Sequence, residues 1–221
     1  MIMRLILGDG DLRSNLIQLL FLIPVMMIAL TLHELAHGYT AYKLGDPTAR
    51  NFGRLTLNPI KHLDPVGVLM ILFVGFGWAK PVPVDPRYFK NPKRDIALTA
   101  IAGPVTNLIC AFAGILIFRV IWTFIPQSIF VYFILVFFNT FISLNLFLAL
   151  FNLIPMPPLD GSKIFDSVLP PSASYQYQRF QRYGFLILIF LMFTIGFRWL
   201  NVPVNAIYRF FNWIIDFIPF L

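Results

Sequence analysis

An all-α protein that passes several times through a membrane, with one small membrane-associated β or re-entrant segment, is predicted by three observations. Of 221 residues, 58% are hydrophobic and only 12% are charged, where a soluble domain carries charge on about a quarter of its residues. The mean hydropathy is +0.77. The apolar residues fall in long runs, several of them reaching the roughly 20 residues that a helix needs to span a bilayer. Nothing is polar enough to form a separate soluble domain or a disordered tail, so one integral-membrane domain is expected over 1–221.

The elements follow in order. No charge occurs from Leu16 to Leu32, and the apolar character continues to Tyr42, which predicts a first spanning helix over about Asn15 to Leu44, kinked at Pro24. Tyr42 and Lys43 follow this run instead of a small-residue cleavage site, so it is not expected to be removed as a signal peptide. The stretch TARNFGRLTLNPIKHLDP, Thr48 to Pro65, alternates and is bounded by turn residues, which predicts a short strand or hairpin at the membrane surface. Val66 to Trp78 is apolar, but too short to cross and broken by glycines. Lys80 to Asp95 alternates prolines with polar residues and reads as a surface loop.

Ile96 to Phe124 and Ile129 to Ile154 are long apolar runs joined at Pro126-Gln127-Ser128, an antiparallel helical hairpin. MPPLDGSK breaks the second, and Tyr183 to Leu200 is long enough to cross again. Beyond it, Asn205, Arg209, Asn212 and Asp216 share one face of a helix, a stripe that suits packing against neighbours more than a substrate gate. The core elements thus occupy about 15–169, with additional helices at about 181–221.

The net charge of +7 gathers in two loops, one with Lys43, Arg50, Arg54 and Lys61, the other with Lys80, Arg87, Lys90, Lys93 and Arg94. That pattern reads as topology, not as nucleic-acid binding. Cytoplasmic retention of both loops requires Val66 to Trp78 to dip into the membrane and return. The end of the first helix and MPPLDGSK then lie on the same, cytoplasmic side of a multi-pass cell-membrane protein. Cys110, the lone cysteine, lies in an apolar run and reads as a small buried hydrophobe.

The strongest chemical signal is His33-Glu34-Leu35-Ala36-His37. On a helix, positions i and i+4 share a face, so His33 and His37 can hold one Zn²⁺ ion between them. Glu34 sits beside the metal and can take a proton from water that the metal activates. Chance is a poor account, because the motif holds the only glutamate and two of the 3 histidines, and an uncompensated carboxylate in a lipid-facing run costs at least a few kcal/mol. A catalytic zinc needs a third protein ligand. Asp160, which follows an apolar helix in a Pro-Pro-Leu-Asp-Gly turn, is the better candidate; His62, between Lys61 and Asp64, suits a solvated or loop-bracing role.

HELAH, GPVTN at Gly103 to Asn107 and NLIPMPPLDG at Asn152 to Gly161 resemble, in order and spacing, the site-2 protease family of intramembrane zinc metalloproteases. GRLTLNPIKHLDP and GWAKPVPVDP are similar to the membrane-embedded connection of its compact prokaryotic members, without PDZ or nucleotide-sensing domain. The resemblance implies a three-helix catalytic core, zinc on His33, His37 and Asp160, and cleavage of transmembrane protein substrates in the lipid bilayer. It also implies that Asn152 and Asn107 contact the scissile peptide or its oxyanion. Read from the residues alone, a helix-to-helix hydrogen bond is the alternative for both amides; function leads for Asn152, while Asn107, in a small-residue stripe with Ala100, Gly103, Ala111 and Gly114, suits either. The PVPV stretch at 81–84 is expected to offer an edge on which an unwound substrate pairs as an added strand.

Overall fold

The computed structural model describes residues 12–74, 77–194, 196 and 198–218. Its elements are helices: α1 (Leu12–Lys43), α2 (Thr48–Asn51), α3 (Pro65–Val74), α4 (Pro92–Phe124), α5 (Ile129–Asn152), α6 (Asp160–Val168), α7 (Pro171–Thr194) and α8 (Asn201–Ile215). Among the described residues, three stretches are long and apolar enough to cross a membrane: Leu20–Lys43 within α1, Pro92–Phe124 and Ile129–Asn152. These three pack on one another and form the frame of the molecule.

Local chemistry sets the boundaries. α1 runs through Pro24 as one helix. Pro92 opens α4 at a position where its missing N–H costs nothing. Ser128 caps α5 by accepting the Val131 N–H at 3.3 Å, which makes the hairpin turn expected at 126–128. Ala111 and Ile115 of α4, Ile142 and Leu146 of α5 and Ile215 of α8 form one buried core; Phe151, Leu159, Leu188 and Leu200 form a second where α7 meets the turn after α5.

The strand or hairpin expected over Thr48 to Pro65 is not there. The described residues contain no strand, only an isolated antiparallel bridge between Leu63 and Ala79. Turn-forming side chains interrupt the alternation that suggested a strand. Asp46 accepts the Thr48 N–H at 2.9 Å, Asn58 the Ile60 N–H at 3.1 Å, and Asp64 the N–H groups of Val66 and Gly67 at 2.9 and 3.0 Å. Each turns the chain within a few residues, giving α2, a 3₁₀ turn at Pro59–Lys61 and α3 in place of an extended segment.

The run Tyr183 to Leu200 also differs from expectation. Its first part is the second half of α7, whose first half carries Gln178, Arg179, Gln181 and Arg182, and the helix stops at Thr194. Only about a dozen apolar residues are left on it, too few to span. α8 packs through Val204, Ile207, Phe211 and Ile215; of its polar stripe, Asn205 and Arg209 are exposed, and Asn212 and Asp216 accept from Arg119 of α4 at 3.3 and 2.7 Å.

Candidate metal centre

HELAH lies in the last third of α1, and the i, i+4 spacing puts both imidazoles on the side facing α4 and the start of α6. Asp160 is the first residue of α6. Its reach depends on Gly161: a Cβ there would come within 2.3 Å of the Leu153 carbonyl oxygen and 2.4 Å of that of Ile154. Only glycine lets the first turn of α6 fold back onto the end of α5 and carry the carboxylate to the histidines.

The three ligand atoms converge. His33 Nε2 and His37 Nε2 stand 3.0 Å apart, and Asp160 Oδ2 lies 3.2 Å from the first and 3.0 Å from the second. All three residues are buried. Ligands about 2.05 Å from a tetrahedral metal stand roughly 3.3 Å apart, so the triangle has the size of a coordination face.

The opposite ring nitrogens identify which atoms are free to ligate. His33 Nδ1 donates to Asn107 Oδ1, and His37 Nδ1 donates to the Thr99 carbonyl oxygen at 2.7 Å. A carbonyl oxygen accepts only, so the protons are on Nδ1 and the lone pairs on Nε2 point at each other and at a carboxylate. That arrangement is repulsive without a cation. These donors fit a divalent metal ion, with both imidazoles oriented from behind.

The rest of the surroundings were only partly foreseen. Asn107 is fully buried; its Oδ1 accepts from His33 and its Nδ2 donates to Asn145 Oδ1 at 2.7 Å, while Asn145 Nδ2 donates to the Phe141 carbonyl oxygen at 2.8 Å. The structure therefore places Asn107 behind a metal-facing ring, on the nitrogen turned away from Asp160. Asn145 escaped the sequence reading, although an amide one heptad before Asn152 in an apolar helix was the available signal. Asn152 itself lines the cavity in front of the histidines and donates from Nδ2 to Leu148 O of its own helix at 3.0 Å. Gly103, in the GPVTN block, gives α4 its close approach, since a Cβ there would lie 2.5 Å from His37 Nε2.

His62 is apart from the site and fully buried, its Nε2 donating to the Thr56 carbonyl oxygen at 2.8 Å, a loop brace. Glu34 lies on the cavity wall and its Oε2 accepts the Val82 N–H at 2.8 Å. The cavity measures about 960 Å³ and is bounded by Val82 and Val84 on one side and by Gln178, Gln181 and Phe185 of α7 on another. Along the stretch 81–84, the Val82 N–H is taken by Glu34 and the Pro81 carbonyl by Arg54, while Lys80 just before it donates to His62 O.

A protein of Bacillus subtilis (strain 168) named "Putative zinc metalloprotease YwhC" is 46% identical over 176 residues, covering 79% of this chain and 80% of its own. The sequence model of "Peptidase family M50" matches residues 123–195. The chain belongs to peptidase family M50. A more distant relative, "Putative zinc metalloprotease Rip2" of Mycolicibacterium smegmatis, is 29% identical over 195 residues, covering 84% of this chain and 71% of its own. The protein of the same name in Mycobacterium tuberculosis (strain H37Rv) is 27% identical over 177 residues, covering 77% and 66%. No solved structure matches the chain. M50 is the site-2 protease family, so the resemblance carried by HELAH, GPVTN and NLIPMPPLDG stands as kinship, and the chain is a membrane protein of a metalloprotease family.

Proposed function

We propose that this M50 protein is a zinc endopeptidase that hydrolyses peptide bonds within or near the membrane-spanning segments of other proteins, as a step of regulated intramembrane proteolysis. The observation that carries the reading is the convergence of His33 Nε2, His37 Nε2 and Asp160 Oδ2 on the wall of a 960 Å³ cavity among apolar helices. The names of the relatives supply the choice of zinc. One ion is assigned to the three ligands.

Zinc held there would act as a Lewis acid that acidifies a water molecule and polarises the scissile carbonyl. Glu34, next to His33 on the cavity wall, takes the proton of the attacking water and returns it to the leaving amine. Asn107 and Thr99 hold the imidazoles in the tautomer that ligates. Asn152, which lines the same cavity, offers the amide N–H not spent on the Leu148 carbonyl to the substrate carbonyl. Because the peptide groups of a membrane helix are bonded within that helix, the substrate unwinds locally before it fits the cavity.

The proposed topology places both basic loops in the cytoplasm, with 66–78 entering the membrane and returning. Its support is that the two ends of this segment touch, through the Leu63–Ala79 bridge and the Lys80 N–H on the His62 carbonyl oxygen at 2.9 Å. The site then opens near the cytoplasmic face.

The test measures zinc content and cleavage of a single-span substrate by the purified protein. Glu34→Gln is expected to keep zinc and lose cleavage, and Asp160→Ala to weaken both. Cleavage retained by Glu34→Gln would overturn the mechanism.

A further inference from the structure

Arg54 is charged, sits among the buried residues at 7% exposure, and faces no carboxylate among the described residues. A lone buried guanidinium is costly to desolvate, so its partners are informative. Nη2 donates to the Lys80 carbonyl oxygen at 2.6 Å and Nη1 to that of Pro81 at 3.2 Å. Two consecutive carbonyls of an extended chain diverge, and a planar fork of donors can hold both where an ammonium holds one.

The next residue is Val82, whose N–H is on Glu34 Oε2 at 2.8 Å. Pro81 and Pro83 have no N–H, so Val82 is the one residue of 81–83 with a backbone donor to offer Glu34. Its side chain lies against Gly38, immediately after His37: a Cβ added there would come within 3.0 Å of Val82 Cγ1. Lys80 is held from the other side by the His62 carbonyl oxygen at 2.9 Å.

We propose that Arg54 is a positioning residue, which by gripping the Lys80 and Pro81 carbonyls presents the Val82 N–H to Glu34 and so fixes the plane of that carboxylate beside the metal ligands. Anchoring one carboxylate oxygen through a peptide N–H leaves the other to move the proton. The inference rests on the protease reading and deepens it: a basic residue of a surface loop, remote in sequence from the HELAH motif, aligns its base.

The test uses the full-length protein in detergent, loaded with zinc, and a single-span substrate. Arg54→Met is expected to keep its zinc, keep KM within about twofold, and lose kcat by tenfold or more, since a well-placed base contributes about 10²–10⁴. Arg54→Lys, able to hold one carbonyl, falls between. Guanidinium ion added to Arg54→Ala restores part of kcat and does nothing for Glu34→Gln. A readout without activity is the Val82 amide proton in ¹⁵N-valine-labelled, metal-free protein, assigned through its loss in Val82→Ile. It moves upfield alike in Arg54→Met and in Glu34→Ala.

Unchanged kcat in Arg54→Met, or a Val82 amide that responds to Glu34→Ala but not to Arg54→Met, would overturn the proposal. So would parallel loss of zinc, folding and kcat in Met and Lys variants without guanidinium rescue, because Arg54 would then only hold the loop together. Wild-type protein that cleaves nothing, or active Glu34→Gln, would instead sink the protease reading and leave the Val82 amide to decide the role of Arg54.

Discussion

Replacing Gly103 by alanine separates metal binding from folding. The added Cβ would lie 2.5 Å from His37 Nε2 and 2.6 Å from His33 Cε1, where ordinary contact begins at 3.4 Å, so the rings must retreat by about 0.9 Å. Metal–nitrogen distances tolerate only about 0.2 Å. Loss of an orienting partner behind a ligand weakens metal affinity about 10–100-fold; direct displacement of two ligands is expected to reach at least the upper end of that range. Folding changes far less. Overpacking costs about 1–3 kcal/mol, while alanine in a helix interior recovers about 1 kcal/mol relative to glycine. The assay is zinc competition against a chromophoric chelator, with thermal unfolding of the metal-free protein alongside. Gly114→Ala on the same helix is the control, because its Cβ would meet Ile142 and Phe141 at 3.0 and 3.1 Å, away from the histidines. Zinc affinity of Gly103→Ala within about threefold of Gly114→Ala would refute the placement of the metal between these rings.

Asn107→Leu removes the acceptor of His33 Nδ1–H and the donor to Asn145 Oδ1, so chelator competition should show metal affinity falling about 10–100-fold and denaturation a loss of about 1–3 kcal/mol. Asp46→Ala strips the fully buried carboxylate that accepts the backbone N–H groups of Thr48 and Asp85, at 2.9 and 2.7 Å; two orphaned donors predict a loss of several kcal/mol and earlier proteolysis between 46 and 86. Asp216→Asn breaks the ion pair with Arg119, but the Asp216 side chain is 57% exposed, so a change below about 1 kcal/mol is expected in thermal unfolding.

The parts of the site that rest on spacing were legible in the sequence. His33 and His37 share a helical face by periodicity alone, and a Pro-Pro-Leu-Asp-Gly turn after an apolar helix brings Asp160 to them through Gly161. Contacts that depend on backbone groups were not. The Val82 N–H on Glu34 and the Arg54 fork on Lys80 and Pro81 join residues 48 and 26–27 positions apart through atoms every residue has. The amides were half legible: Asn107 stood out as costly in an apolar helix, yet nothing in the sequence says whether such an amide faces a substrate or another asparagine. No strand forms over Thr48 to Pro65 because the local hydrogen bonds of Asp46, Asn58 and Asp64 turn the chain despite its alternation. Half of the stripe on α8, Asn205 and Arg209, is exposed, and the partner of the other half, Arg119, lies inside an otherwise apolar run.

The stitched ends of the 63–79 segment fix that stretch at its base. Leu63 and Ala79 are bridged, and Arg54 grips the chain just beyond the exit, so the geometry at Val82 is set by contacts outside that stretch. Lengthening a loop whose ends are already fixed costs only about 0.6 kcal/mol per doubling. Lengthening the stretch away from Gly77, Trp78 and Ala79, which line the cavity, is therefore expected to leave the three ligands in register.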